Sequence, residues 1–428
     1  MRRLHSYHLL VQSIDFLNSL VHRRVSFRYS GRGLQFDLST ALFSSACVDT
    51  GTVTLLRALE RPVKDLQPAC VLDMGSGTGT LGIALASATG AELYATDRDA
   101  LAVWFTSKNA GLNKIAPVDA WPALEVHSPF SERVRQTPDI AVCNLPAKAG
   151  EPVLRHMISL LPGLVSGRGF AGVVVVTTLA QLLISELRRL DARVLVRRES
   201  KNHVAVVYAD VRDGQGKSLP VRSDGPNDAS DNLLPAVYAR GENSFVGPYG
   251  DYRLKVAHNL PEFNSLGYGT ELAFRLIRNT APAGRILVWG VGQGHLAVGG
   301  IQSSRRVEIL VADRDLLAIT ATTANLAQSH QRATVRPLVA PGLGAAADLS
   351  GADSVDWMIV HSHPEPGSHW AGELTYAAEK LLDHGGRLLV VSRSTSISRL
   401  TPVIRRSFSQ IHTLRHRGYR ADLLIRKR

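Results

Sequence analysis

The sequence predicts an α/β protein made of two tandem, doubly wound domains. Short apolar runs alternate with helical patterns along the chain. A glycine-rich loop occurs twice, each time where an apolar run ends, and a polar stretch rich in Gly, Ser, Asp and Pro separates two halves of similar size. Short continuous apolar runs with helices between them are the pattern of βαβ units, whose sheet is mostly parallel and covered on both faces.

Taken in order, the opening MRRLHSYHLLVQSIDFLNSLVHRR is basic but lacks an uninterrupted apolar run and a small-residue cleavage site. It reads as an amphipathic helix in an N-terminal extension over 1–35, not as a signal peptide. The first domain, 36–212, is expected to place strands at ACVLDMG, AELYATD, DIAVCNL and AGVVVVTTL. Residues 213–232 are the linker, within VRDGQGKSLPVRSDGPNDASDN. The second domain, 233–428, repeats the pattern at RILVWG, VEILVAD, DWMIVHS and GRLLVVS. The two halves match position by position. Gly75, Gly77 and Gly79 fall opposite Gly290, Gly292 and Gly294; the DRD from Asp97 to Asp99 matches that from Asp313 to Asp315; Asn109 matches Asn325. Upstream, LFSSACVDTGTVTLLRAL answers EFNSLGYGTELAFRLI, so tandem duplication accounts for the organisation.

Composition bounds the function. With 45% hydrophobic and 20% charged residues the 428-residue chain can bury sizeable cores, and 49 Lys+Arg against 37 Asp+Glu give it a formal charge of +12. That balance favours a polyanionic partner such as nucleic acid. Three cysteines, Cys47, Cys70 and Cys143, form no C-x-x-C spacing and no disulfide framework, which fits a reducing, cytoplasmic compartment. No run of 18 apolar residues exists, so no membrane-spanning helix is expected.

The chemistry concentrates in the first half. Asp73-x-Gly75-x-Gly77-x-Gly79 lies where a strand ends and a helix begins, a place where glycines permit the turn and let a ligand approach the main chain. Asp97 ends the next strand, 22 residues after Gly75, which suits a carboxylate accepting hydrogen bonds from ribose hydroxyls. Gly77, Gly79 and Gly82 also satisfy the dinucleotide-binding spacing, so a nicotinamide cofactor competes at this point. Asp73 argues for a ligand bearing ammonium and sulfonium groups, because a carboxylate at the loop would repel a pyrophosphate. Farther on, Asn144-Leu145-Pro146 closes a strand at the sheet's carboxyl edge, where open α/β sheets bind ligands. Its amide and the carbonyls of a proline-stiffened turn offer acceptors to a substrate amine. Displacement at a sulfonium methyl needs mainly positioning, and the motif carries no catalytic His or Cys.

These residues resemble class I S-adenosylmethionine-dependent methyltransferases, whose amino-methylating members carry Asn/Asp-Pro-Pro followed by Tyr or Phe. LFSSACVDTGT, with Phe43, Ser44, Asp49 and Gly51, is similar to the segment that introduces the fold in tandem-domain ribosomal RNA guanine-N2 methyltransferases of the small-domain superfamily. The resemblance covers about Phe36 to Asp210 and, more faintly, the second half. It implies two Rossmann-like methyltransferase domains, the C-terminal one degenerate, and S-adenosyl-L-methionine as cofactor. The implied cofactor-binding residues are Asp73, Gly75, Ser76, Gly77, Gly79, Asp97, Arg98 and Ser128. Asn144, Leu145 and Pro146 would hold the target amine, with Phe43, Ala147 and Lys148 toward the substrate. Leu145 and Ala147 stand where the family has proline and an aromatic ring, and Phe43, Trp121 or Phe130 could supply a ring instead. NLPAKA also resembles the motif of tRNA guanine-N1 methyltransferases. The expected partner is RNA, in particular ribosomal RNA, for a monomer without metal. A small-molecule, natural-product or protein amide acceptor and a non-catalytic RNA-binding role remain alternatives.

In the second half Val288 replaces Asp73, beside Trp289, and HSHPEP from His361 to Pro366 replaces NLPAK. Losing the carboxylate removes a partner for the methionine ammonium. His361, His363 and His369 are read as a polar loop, not a metal site, and the domain as a scaffold or RNA-docking unit.

Overall fold

The structure, a computed structural model, describes residues 11–124, 134–210, 234–301, 307–330, 333–351 and 354–428. It divides into two compact units, one of Val21–Tyr238 and one of Ala239–Arg428 together with residues 11–20. Helix α1 (Val11–Asn18) therefore packs with the second unit. The Ser13 hydroxyl bonds Asp348, the Phe16 ring lies 5.7 Å from Tyr376, and the Ser19 hydroxyl accepts the His369 amide. The expected linker lies outside the described residues.

The first unit opens on a hairpin, β1 (Arg23–Tyr29) and β2 (Arg32–Leu38). Next come α2 (Thr50–Leu66), β3 (Cys70–Met74), α3 (Thr80–Thr89), β4 (Glu92–Asp97), α4 (Ala100–Leu112) and β5 (Val118–Pro122). After them follow β6 (Ile140–Asn144), α5 (Glu151–Leu160), β7 (Phe170–Val176), α6 (Ala180–Arg189), β8 (Arg193–Glu199) and β9 (His203–Ala209). The hairpin was not among the expected strands, although Val25, Phe27 and Tyr29, then Leu34, Phe36 and Leu38, alternate with period two.

The second unit repeats the series. It holds β10 (Ala239–Gly247), β11 (Gly250–Ala257), α7 (Tyr268–Arg278), β12 (Gly284–Trp289), α8 (His295–Val298) and β13 (Val307–Asp313). Then come α9 (Leu316–Ser329), β14 (Thr334–Val339), α10 (Leu343–Leu349), β15 (Val355–His361), α11 (Trp370–Leu381) and β16 (Leu382–Arg393). It closes with α12 (Ser394–Ile404), β17 (Phe408–His416) and β18 (Tyr419–Arg426).

The sheets share one topology, β5-β4-β3-β6-β7-β9-β8 and β14-β13-β12-β15-β16-β18-β17. Six strands point one way, and β9, like β18 in the second unit, runs antiparallel to both of its neighbours. Strand β3 is buried along its whole length, which is why it reads as a continuous apolar run. Its core neighbours include Leu55 and Leu59 of α2, Val142, Val174 and Val207; in the second unit Leu287, Met358, Val360, Leu388 and Val390 play that part.

The chain order reverses between β3 and β6, and this switch point is where doubly wound sheets open a ligand crevice. Asp73 pairs with Val142, so Gly75 and Asn144, each two residues farther on, leave the sheet at one level. Val288 pairs with Ile359 in the second unit, bringing Gly290 and His361 to the same place.

The matching DRD and Asn positions have a structural cause. The second aspartate of each DRD, Asp99 or Asp315, caps the following helix by accepting the amide of Leu101 or Leu317. Buried Asn109 accepts the Asp37 amide of β2 at 2.8 Å and donates to the carbonyls of Asp37 and Thr78. Asn325 makes the same three bonds, to Lys255 of β11 and the Gln293 carbonyl. One side-chain amide thus ties hairpin, glycine loop and helix together in each unit, a use of all its polar atoms that burial demands.

Candidate functional site

After β3 the chain turns sharply: the amides of Gly75 and Ser76 both donate to the Thr96 carbonyl, and Gly75 and Gly77 take φ of +73° and +57°. A Cβ on Gly77 would meet nothing within 4 Å, and one on Gly75 only the Cys143 sulfur at 3.8 Å. These two glycines therefore serve backbone conformation and leave open space above the loop. Gly82 is different, since a Cβ there would press on the Asp73 side chain.

Asp97 ends β4 as a clamp. Its Oδ2 accepts the Gly77 amide and its Oδ1 the Asp99 amide, each at 2.9 Å. Two main-chain bonds fix the carboxylate beside the loop. Asp73 is buried, and its Oδ2 accepts the Gly82 amide at 2.8 Å. Burial pushes its carboxyl up to about 7, while the Gly82 amide pulls the other way. Ser76 is buried and bonded to Thr106 at 2.9 Å, and Arg98 is half-buried. Ser128 and Phe130 lie outside the described residues.

Across the switch point, Asn144 is half-buried at the end of β6. Its Nδ2 donates to Asp49 Oδ2 at 2.9 Å and to Thr52 Oγ1 at 3.2 Å. The same Asp49 oxygen accepts the Thr52 amide at 3.0 Å and so caps α2. With its nitrogen held there, the amide has Oδ1 as its remaining group, an acceptor. The Leu145 amide bonds the Val174 carbonyl and the Ala149 amide the Pro146 carbonyl, closing the turn. Leu145 is buried, Pro146 half-buried, and Ala147 and Lys148 are exposed. Of the candidate rings, Trp121 is buried edge-on to Tyr94, whereas Phe43 is 70% exposed.

Sequence reasoning passed over Thr52 and His203. The His203 Nδ1 lies 3.3 Å from Thr50 Oγ1, and a Cβ on Gly51 would strike the imidazole. It arrives through the antiparallel pairing of Val176 with His203, a non-local register that no short motif signals.

The second unit keeps the clamp and closes the space at Gly290. Gly290 and Gly292 have φ of +74° and +53°, and Asp313 accepts the amides of Val291 and Asp315. A Cβ on Gly290, however, would sit on the His361 carbonyl oxygen. Trp289, like Leu338, packs against the cluster of Ala312, Ala340, Ala345 and Ala346. Burial, joined by His363 and His295, pushes the His361 imidazole down to about 3, and burial pushes His295 down to about 4. Both rings are neutral near pH 7. Among the described residues no cluster of His, Cys, Asp and Glu could hold a metal, and no helix is long and apolar enough to cross a membrane.

The family model of the methyltransferase small domain matches residues 33–169 and again 262–421. A ribosomal protein L11 methyltransferase from Thermosynechococcus vestitus is 31% identical over 138 residues, 32% of this chain. That match spans 42% of the relative's length. The structure of a T. thermophilus 16S rRNA N2 methyltransferase, RsmC, solved with AdoMet and guanosine, superimposes with a TM-score of 0.62 at 14% identity. It covers 96% of this chain and 99% of its own, so the tandem two-unit fold is shared from end to end.

Proposed function

The chain belongs to the methyltransferase small-domain family, and from that premise we propose that its first unit methylates an exocyclic amine of a guanine in structured RNA, in particular ribosomal RNA. The cofactor is S-adenosyl-L-methionine, which supplies an electrophilic methyl on a sulfonium sulfur. Its residues in this chain would be the loop of Gly75, Ser76, Gly77 and Gly79, open above Gly75 and Gly77, with buried Asp73 before it and Asp97 and Arg98 at the end of β4. Asp73 suits the ammonium and Asp97 the ribose hydroxyls.

The observation that carries the reading is the fixed amide of Asn144 at the switch point. A guanine amine is a poor nucleophile because its lone pair is drawn into the ring. Accepting its two N–H bonds, by Asn144 Oδ1 and a carbonyl of the turn after it, turns that lone pair toward the methyl. With the cofactor bound, the amine nitrogen would take the methyl from the sulfonium, which would be left as a neutral thioether, and the amine proton would pass to water. Rate comes mainly from orientation, as in other reactions of positioned partners. The formal charge of +12 draws the RNA, Phe43 offers an exposed ring for the base, and Lys148 a cation for a phosphate.

A second reading, an amine on a protein, is favoured by the partial match to the ribosomal protein L11 methyltransferase. Counting label transferred from S-adenosylmethionine into RNA, protein and small-molecule fractions of a cell extract separates the two. Label in RNA that is lost with Asn144→Ala supports the proposal; label confined to protein overturns its substrate.

A further inference from the structure

Sheet register equates the rims of the two sites residue by residue. Asn144 pairs with Val174 and His361 with Val391. Two residues on, Val176 pairs with His203, and Arg393 with Tyr419. Thr50 precedes Gly51 where Tyr268 precedes Gly269. The second unit has therefore exchanged a small hydroxyl, an aliphatic side chain and a histidine for Tyr268, Arg393 and Tyr419.

These replacements form one cluster. The Arg393 guanidinium lies 4.5 Å over the Tyr419 ring, and that of Arg417 lies 4.9 Å over Tyr268 and bonds its hydroxyl. His416 meets Tyr268 edge-on at 5.5 Å, and His363 meets Tyr419 at 6.0 Å. Arg393 and Arg417 are exposed, and neither is in an ion pair among the described residues; Arg420, by contrast, is buried against Asp422. A guanidinium stacked by its face keeps its edge donors for an anion, and its planar surface can also carry a base.

We propose that this rim of the second unit binds single-stranded RNA, bases stacking on the Tyr268–Arg417 and Tyr419–Arg393 pairs and phosphates bonding the guanidinium edges. The proposal rests on RNA being the substrate, and it gives the duplicated unit a task. The target mouth that lost its amide became a grip on RNA.

The test is anisotropy of a fluorescein-labelled single-stranded oligoribonucleotide with the full chain across a salt series, beside transfer of labelled methyl into RNA. Tyr268→Ala should weaken RNA binding about tenfold, the usual scale for one lost base stack, and Tyr268→Phe should keep it. Arg393→Gln with Arg417→Gln should lower the slope of log affinity against log salt by about 1.4, roughly 0.7 per lost phosphate contact. S-adenosylmethionine affinity and the melting temperature report folding and should stay at wild-type values. RNA affinity and slope unchanged in these variants, or no RNA binding by the wild type, overturns the rim proposal. RNA methylated by the wild type while the rim variants bind normally sinks the rim alone. Rim-dependent binding without label in RNA leaves the rim standing and sinks the RNA substrate.

Discussion

The Asn144 side chain is held by Asp49, Nδ2 to Oδ2 across 2.9 Å, and that carboxylate is also the N-cap of α2. One aspartate thereby links the start of the domain's first long helix to the end of β6 at the switch point. Asp49 and Asn144 are 95 residues apart in the chain. The amide's orientation does not exist until α2 and β6 have packed.

Removing the two partners should have different signatures. Asn144→Ala is expected to leave S-adenosylmethionine affinity nearly unchanged and to lower turnover about a hundredfold, the scale of a lost positioning contact. Asp49→Ala should cost the cap, about 0.5–2 kcal/mol of stability, and lower turnover as well by freeing the amide to rotate. Calorimetry of cofactor binding with single-turnover kinetics checks both. Equal losses of affinity and turnover in Asn144→Ala would make Asn144 a structural turn residue.

Asp97 joins two tasks, since it accepts two loop amides and is assigned the ribose. Asp97→Ala should weaken S-adenosylmethionine at least tenfold, charge-assisted bonds being worth about 1.5–3 kcal/mol each. S-adenosylhomocysteine, with the same ribose, should weaken equally. A folded variant with unchanged affinity for either ligand would refute the ribose assignment.

Phe43, in the segment that leads to Asp49, is 70% exposed. If it stacks on the target base, Phe43→Ala should raise KM for RNA about tenfold, roughly the scale of one aromatic stack, with cofactor affinity and melting temperature unchanged. An unchanged KM would leave the base without this ring.

The strands, glycine loops and strand-end carboxylates were legible because each is written in a short local pattern. The apolar runs of β3 and β12 are continuous because both sheet faces are covered, and the paired DRD motifs recur because each first aspartate clamps a loop and each second caps a helix. What escaped is non-local. His203 reaches Thr50 only through an antiparallel register, Tyr268 and Arg417 meet across 149 residues, and α1 packs far along the chain with α10 and α11. The β1–β2 hairpin escaped for another reason: its alternation was present, but its basic residues read as an extension.

The second loop should hold no cofactor. A titration is expected to give one S-adenosylmethionine per chain. Gly75→Arg should abolish binding by filling the open space above the first loop, and Gly292→Arg should leave it intact, because the His361 carbonyl already fills the space at Gly290 in the second. Two equivalents bound would show that this closure does not exclude the ligand.

Asp73 predicts a pH dependence. Its carboxyl is raised from 3.8 to about 7 by burial, so the cofactor-free protein holds it protonated below about pH 7. A folded-state value above the unfolded one means that its contribution to stability is complete below about pH 3.8 and is lost as pH rises through about 7. Asp73→Asn, which cannot ionise, should thus gain in melting temperature relative to the cofactor-free wild type as pH is raised from 5 to 8. The ligand reverses the sign. Its ammonium favours the ionised carboxyl, so binding below pH 7 releases a proton, and wild-type affinity should climb toward tenfold per pH unit between about pH 5 and 7. Above the range of an α-amino group, about pH 7.7–8.0, the ligand loses its own charge and affinity should fall again. In Asp73→Asn the rise from pH 5 to 7 should vanish and the fall above pH 8 diminish. Calorimetry in buffers of different ionisation enthalpy counts the proton directly. A wild-type affinity flat from pH 5 to 7, with no proton released, would mean that Asp73 holds Gly82 and never meets the ammonium.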